Sequence, residues 1–221
     1  MIGILYKEVL KGKSLGRILV NLRLKTLTLE GEGIDLSAKT GTSSYYRFIN
    51  TNKNTKIIYT DLYPSKSTKV LKVDLEDSIP VSNNSQDFLL LMNVLEHIFD
   101  YKTCITECYR VLKPQGRLIG CVPFLHKIHP DPDDYWRYTK STLERIFGEA
   151  GFKEILVEPL GFGPLTAGVT HWVRILKLKR LIFLCYLLAI NFDRILNAIF
   201  KGHPAVSANN FPLVYFFIAK K

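Results

Sequence analysis

Five short apolar runs, each closed by a turn residue or an acid and separated by stretches of helical length, constrain this chain more than any other feature. They are GIDLS at 33–37, KIIYT at 56–60, DFLLLM at 87–92, RLIGCV at 117–122 and KEILVE at 153–158. Runs so short and apolar suit strands covered on both faces, and the spacers suit crossover helices, so the expected class is α/β with a mostly parallel sheet. FPLVYFFIA at 211–219, rich in aromatic and β-branched residues, reads as one more buried strand. Helices are expected over 3–24, 43–49, 101–112 and 165–200, and over a stretch capped by Ser141 or Thr142 that runs to Ala150 and ends at Gly151.

With 221 residues, 47% of them hydrophobic, the chain holds enough apolar material for one core, and no repeat, low-complexity tract or linker divides it. A single domain over 1–221 is expected: a basic helical segment at 1–29, a ligand-binding core at 30–164, inserted helices at 165–205 and the last strand within 206–221. Disorder, collagen and a disulfide-stapled miniprotein are excluded. The apolar run 181–192 already contains Asn191 and falls short of the roughly 20 residues that a spanning helix needs, so no transmembrane architecture is expected. The apolar start, 1–6, is too short for a signal-peptide core, which points to the cytosol. Cys104, Cys108, Cys121 and Cys185 make no CxxC pair, so neither a zinc knuckle nor a redox dithiol is indicated.

The formal charge of +10 is unevenly spread. Segments 1–29 and 165–201 each carry a net +5, whereas 30–164 is close to neutral. Both flanks also hold bulky apolar residues, among them Ile18, Leu19, Trp172, Ile175, Leu181 and Phe183. Basic plus bulky apolar on a helix is the composition of a membrane-surface element, and equally of a helix that caps the core with its lysines in water. Nucleic acid is disfavoured as a partner, because these segments lack the aromatic and glycine pattern of RNA-binding modules.

In a parallel sheet the ligand sits at the carboxyl ends of the strands. The first strand is followed there by Ser37-Ala38-Lys39-Thr40-Gly41-Thr42-Ser43-Ser44, a run of small residues that lets a backbone turn approach a ligand closely, and the second by Asp61, a carboxylate able to accept both hydroxyls of a ribose. The fourth recognised strand leads into Pro123–Thr139, where His126, His129, Asp131, Asp133, Asp134, Tyr135, Trp136, Arg137 and Tyr138 crowd together.

Taken jointly, three segments resemble the class I S-adenosylmethionine-dependent methyltransferases, in particular a group similar to the type 11 methyltransferases. They are Asn93-Val94-Leu95-Glu96-His97-Ile98, Tyr109-Arg110-Val111-Leu112-Lys113-Pro114-Gln115-Gly116, and Val122-Pro123-Phe124-Leu125-His126 continuing to His129-Pro130-Asp131-Pro132-Asp133-Asp134-Tyr135-Trp136-Arg137-Tyr138-Thr139. The resemblance covers roughly 30–160 and the last strand. It implies a Rossmann-like, seven-stranded sheet with helices on both faces, an antiparallel last strand and extra helices before that strand, with S-adenosyl-L-methionine as cofactor. Position by position it implies cofactor contacts from Asp35, Ser37, Ala38, Gly41, Asp61 with Leu62, Asp74, Leu75 and Asn93. This chain departs from the usual DxGxGxG-like first motif, having Ser37 and Lys39 and a single glycine, Gly41. Each added Cβ restricts φ or displaces a ligand, so cofactor affinity is where the departure should tell.

Methyl transfer asks mainly for alignment of an acceptor with the methyl group, and a hydroxyl acceptor also profits from a base. His126, His129 and His97 are the base candidates, with Asp131 or Asp134 as orienting partner. Tyr135, Trp136, Arg137 and Tyr138 suit a sugar or another polar ring. His126, His129 and Asp131 could ligate a metal by type, yet such clusters are common in loops without one, and no metal is expected. The expected function is therefore methylation of a small or glycan-like polar acceptor, lipid-linked if the basic flanks meet a membrane. The alternative is a methyltransferase-like binding module without turnover. A nicotinamide-dependent oxidoreductase would want GxGxxG after the first strand, which is absent, and a structural assembly protein would use the C-terminal helices as its interface.

Overall fold

A computed structural model describes residues 1–37, 41–64 and 70–221. In chain order the elements are α1 (Ile2–Leu10), α2 (Leu15–Leu24), β1 (Thr28–Leu29), β2 (Glu32–Asp35), β3 (Asn50–Thr51), β4 (Lys56–Asp61), β5 (Leu71–Lys72), β6 (Gln86–Met92), α3 (Tyr101–Val111), β7 (Leu112–Pro123), α4 (Lys140–Glu149), β8 (Glu154–Leu160), α5 (Pro164–Trp172), α6 (Lys179–Ile199) and β9 (Val214–Lys220). Short 3-10 turns at Ser44–Arg47 and Leu95–His97 come next in the chain after β2 and β6.

Local chemistry explains where these elements start and stop. The single helix expected over 3–24 is two, because Gly12 takes φ 77° and ends α1; Ser14 then caps α2 by accepting from the Arg17 amide. The helix expected over 43–49 is only the 3-10 turn. Thr139, rather than Ser141 or Thr142, caps α4 by accepting from the Thr142 amide, while Gly151 at φ 104° closes it as anticipated.

The main sheet has seven strands in the order β5-β4-β2-β6-β7-β9-β8. All neighbours are parallel except β9, which runs antiparallel to both β7 and β8. This is the Rossmann-like arrangement with an antiparallel last strand that the resemblance implied. Strand order reverses between β2 and β6, so the crevice of such a sheet opens at their carboxyl ends.

Successive side chains of β6 point to opposite faces. Leu89 and Leu91 enter a core with Cys104, Cys108, Phe147 and Phe217 under α3 and α4; Phe88, Leu90 and Met92 enter a second with Leu5, Ile18, Leu24, Tyr186 and Ile190 under α1, α2 and α6. Burial on both faces is why DFLLLM carries no polar alternation.

The helix α6 is 21 residues long and, by length and composition, apolar enough to cross a membrane, although only 22% of its apolar window is buried. That exceeds what the run 181–192 led one to expect, since apolar residues continue past Asn191 on one face. Its inner face joins the domain: Phe183 meets Tyr6 edge to face at 5.0 Å, and the fully buried Asp193 accepts from the Leu165 and Thr166 amides at the start of α5, at 3.1 and 2.7 Å. Its outer face leaves Leu181, Leu184, Leu188, Phe192, Ile195 and Ile199 exposed.

Candidate functional site

The carboxyl end of β2 presents Asp35, whose carboxylate is fully buried. Its Oδ1 accepts from the Ser37 amide and hydroxyl, both at 2.9 Å, and its Oδ2 accepts from the phenols of Tyr45 and Tyr46 on the following 3-10 turn. Burial pushes its carboxyl above the usual range against the pull of these donors. The phenols are in turn driven upward, first by burial and then by the Asp35 charge. Asp35 thus spends both oxygens inside the protein. Ser37 Oγ also accepts from the Met92 amide at 2.8 Å, which ties β2 to β6 where they diverge.

The other residues expected at a cofactor line the same edge. Asp61 ends β4, its Oδ1 accepting from the Tyr63 amide at 3.3 Å, with Leu62 half-buried beside it. Asp74 is exposed and Leu75 buried after β5. Gly41 needs its glycine: φ is 69°, and a Cβ there would meet the Tyr59 ring at 2.6 Å. Ala38 lies outside the described residues. Asn93, directly after β6, holds φ 53°, a conformation that concentrates at functional turns; its amide donates to the Cys121 carbonyl at 2.8 Å.

A cavity of 510 Å³ opens beyond the ends of β6 and β7 and is walled by Asn93 and Pro123, the N-terminus of α2, the 125–131 loop, and Thr170, His171, Arg174 and Tyr186 from the α5–α6 region. His97, His126, His129 and Asp131 all line it, so the structure brings the base candidates together with Asn93.

Their hydrogen bonds give them different roles. His126 Nδ1 faces the Lys127 carbonyl at 2.9 Å, so it carries the hydrogen, and Nε2 accepts from Arg174 at 3.1 Å. Both ring nitrogens are occupied, and burial lowers its pKa, which leaves His126 a neutral packing partner of His129. His97 Nδ1 donates to the Asp133 carbonyl. His129 Nδ1 lies 3.2 Å from the Lys127 carbonyl and 3.2 Å from Asp134 Oδ2. In both rings Nε2 faces Glu96 Oε1 beyond hydrogen-bond distance, at 3.8 Å from His97 and 3.7 Å from His129. Glu96 is fully buried, and among the described residues neither carboxylate oxygen has a hydrogen-bond partner. The nearby carboxylate raises the pKa of His129. Asp131 sits exposed at the cavity rim.

Tyr135, Trp136, Arg137 and Tyr138, expected to hold an acceptor, instead hold the loop and do not line the cavity. Tyr135 donates to Asp133 Oδ2 at 3.0 Å, Trp136 Nε1 to the Ile98 carbonyl at 3.0 Å, and buried Tyr138 packs on Tyr101. Arg137 grips Asp134 and the Lys127 carbonyl, and keeps the Asp134 carboxyl well below the usual carboxylate range. The amides of Tyr135 and Trp136 donate to the Glu96 carbonyl, at 2.9 and 3.2 Å. Sequence reading quoted Glu96 within its segment but gave it no role, and it passed over Arg174 and Tyr186, whose place in the wall depends on how the last helices fold back.

Residues 29–120 match the family model described as a methyltransferase domain. Among curated proteins none matches this chain. Solved structures of similar fold include an S-adenosylmethionine-dependent methyltransferase from Archaeoglobus fulgidus, with TM-score 0.53, 17% identity, and coverage of 93% of this chain and 94% of that one. The cyclase SpnF matches with TM-score 0.54 and 18% identity over 93% of this chain and 80% of its own. Phosphoethanolamine N-methyltransferase 2 from Haemonchus contortus, in complex with S-adenosyl-L-methionine, matches with TM-score 0.52 and 15% identity over 93% of this chain and 52% of its own. At these identities the structural matches speak to the fold.

Proposed function

We propose that this chain is a class I S-adenosylmethionine-dependent methyltransferase that moves a methyl group from S-adenosyl-L-methionine to a small or glycan-like, lipid-linked polar acceptor seated in the 510 Å³ cavity, a reading supported by the family match over residues 29–120 and by the likeness of fold. One observation carries this reading: Asn93 belongs at once to the strand edge where Asp35 and Asp61 end their strands and to the wall of the histidine-lined cavity. A donor on the first side and an acceptor on the second would meet there, which is the alignment that in-line transfer requires.

The edge residues fit such a donor. Asp61 supplies a carboxylate for ribose hydroxyls, the strained turn at Asn93 gives close backbone approach, and Ser37 fixes the spacing of β2 and β6. When bound, S-adenosyl-L-methionine supplies an electrophilic methyl on a sulfonium sulfur. Asp35 acts from beneath by holding Tyr45, Tyr46 and Ser37 in place. For a hydroxyl acceptor, His97 and His129, which both line the cavity, would be the groups to take its proton.

The lipid-linked part of the proposal rests on α6. Its outer stripe is apolar, Trp172 and Ile175 before it in the chain are exposed too, and the exposed charges within 172–201 are Arg174, Lys177, Lys179, Arg180, Arg194 and Lys201. The segment's single acid, Asp193, is buried. A segment with an exposed apolar face whose exposed charges are all cations complements an anionic bilayer surface, so we place the protein at the cytoplasmic face of a membrane, with Arg174 of that segment also in the cavity wall.

A second reading, a binding module without turnover, is favoured by the way Asp35 spends both its oxygens within the protein. Calorimetric titration with S-adenosylmethionine and S-adenosylhomocysteine separates the two. Binding on the order of micromolar, weakened at least tenfold by Asp61→Ala, or about 1.4 kcal/mol, is the expected result. No heat from folded protein with either ligand would overturn the methyltransferase reading.

A further inference from the structure

Glu96, His97 and His129 present an electrostatic problem that the protein alone leaves unsolved. Their donor atoms, one carboxylate oxygen and two imidazole nitrogens, lie within 4.8 Å of one another. Each imidazole has its Nδ1 hydrogen committed elsewhere, His97 to the Asp133 carbonyl and His129 to the Lys127 carbonyl and Asp134. In their neutral forms both imidazoles thus turn an Nε2 lone pair toward a fully buried carboxylate that has no hydrogen-bond partner on either oxygen among the described residues. Three acceptors then face each other, and only a proton on one ring or a bound cation can come between them. A buried carboxylate left so is strongly destabilising unless a positive charge meets it.

We propose that this cluster is a binding site for a divalent transition-metal cation of the zinc class, ligated by Glu96 Oε1, His97 Nε2 and His129 Nε2. Two imidazoles with one carboxylate are the donor set of zinc and its first-row neighbours rather than of magnesium or calcium. Donors about 2.0–2.1 Å from a tetrahedral zinc are about 3.3 Å apart; the two carboxylate-to-imidazole distances, 3.8 and 3.7 Å, need only a few tenths of an ångström of closure. The outer partners are also those of a metal site: a backbone carbonyl behind His97 and the Arg137-held Asp134 behind His129 fix tautomer and ring orientation. The set differs from the one that sequence spacing put forward, since His126 gives its Nε2 to Arg174.

His97 and His129 line the cavity while Glu96 lies behind them, so the cation's remaining coordination positions face the acceptor space. There it would bind an acceptor oxygen and make its hydroxyl more acidic, a task the two imidazoles perform as bases when no cation is present.

The test uses the full chain, stripped with a chelator, dialysed into metal-free buffer and titrated with zinc chloride by calorimetry and with cobalt chloride by visible absorption. One equivalent of zinc, cobalt d–d bands in the visible, and at least a tenfold loss of affinity in His97→Ala and in His129→Ala are expected, with binding retained in His126→Ala. Wild-type protein that melts cooperatively yet takes up no zinc would overturn the proposal, because a proton shared between Glu96 and His129 would then be what satisfies the cluster. Unchanged zinc affinity in both ligand variants would overturn it equally. Titrating the same samples with S-adenosylmethionine keeps this outcome separate from the methyltransferase reading.

Discussion

Arg137 grips Asp134 through two parallel hydrogen bonds, Nη1 to Oδ1 at 2.5 Å and Nη2 to Oδ2 at 2.7 Å, with the Asp134 side chain only 1% exposed. Arg137 Nη2 also donates to the Lys127 carbonyl, so the pair clips the start of the histidine loop to its end. Charge-assisted pairs of this geometry are worth about 2 kcal/mol. Asp134→Ala is expected to lower the melting temperature by about 4–8 °C, and Arg137→Lys, which keeps the charge without the fork, by less. Calorimetric melting decides it: a change within error for Asp134→Ala would mean that the loop is held by its aromatic contacts instead.

The Asp35 network predicts a split between stability and affinity. Tyr45→Phe and Tyr46→Phe each delete one donor to Asp35 and should each cost about 1 kcal/mol. Asp35→Asn disturbs four hydrogen bonds at once and should lower the melting temperature more than Asp61→Ala does, while weakening S-adenosylmethionine binding less. The reverse order in paired melts and titrations would show that Asp35 reaches the cofactor directly.

Acid sensitivity should trace to Glu8, which is 3% exposed and binds Arg47 at 3.1 and 2.8 Å and Lys11 at 3.1 Å. Burial pushes its carboxyl upward, but Arg47 and Lys11 pull it down further, and the net shift is below the usual value. A folded pKa lower than the unfolded one gives stability that is complete above the unfolded pKa, about 4.3, and lost as pH falls through the folded pKa. The gap in melting temperature between wild type and Glu8→Gln should therefore be full at neutral pH and shrink below about pH 4.3. A gap that does not change with pH would show that the carboxylate charge is not what holds α1 to the Ser44–Arg47 turn.

The outer face of α6 predicts selective lipid binding. Full-length protein should float with vesicles containing phosphatidylglycerol and stay behind with pure phosphatidylcholine, and added salt should weaken the association. Leu188→Glu and Phe192→Glu, at positions 57% and 58% exposed, should cut flotation at least tenfold without lowering the melting temperature. Failure of the wild type to float would remove the membrane from the proposed function.

What could be read from the sequence was what repeats locally. DFLLLM is buried on both faces and therefore apolar throughout, and Gly151 closes α4 with its own φ, so strands and stops of this kind are written where they act. What could not be read is contributed from afar. The N-terminus of α5 is capped by Asp193, 28 residues beyond Leu165, and no local pattern announces a cap on another helix. The helical pattern over 3–24 runs across Gly12 without a gap. His126, His129 and Asp131 look like a set by spacing, but the turn after β6 sets Glu96 against His97 and His129, while α5's continuation brings Arg174 onto His126. Tyr135–Tyr138 carry the side chains of a sugar site, and their backbone position turns them toward Ile98 and Tyr101 instead.

The place of β9 in the sheet has a consequence in time. β8 pairs only with β9 among the described strands, and residues 161–213, with the whole apolar length of α6, must be synthesised before β9 exists. At about 5–20 residues per second this interval lasts roughly 3–10 s. Throughout it β8 has no strand to join and one edge of β7 stays open, next to a nascent helix that offers Leu, Ile and Phe to any partner. Unpaired edges beside apolar surface are where chains associate wrongly. Production of this protein should therefore depend on how well those seconds are covered by chaperones, by slow synthesis at low temperature, or by a nearby bilayer that takes up α6 first.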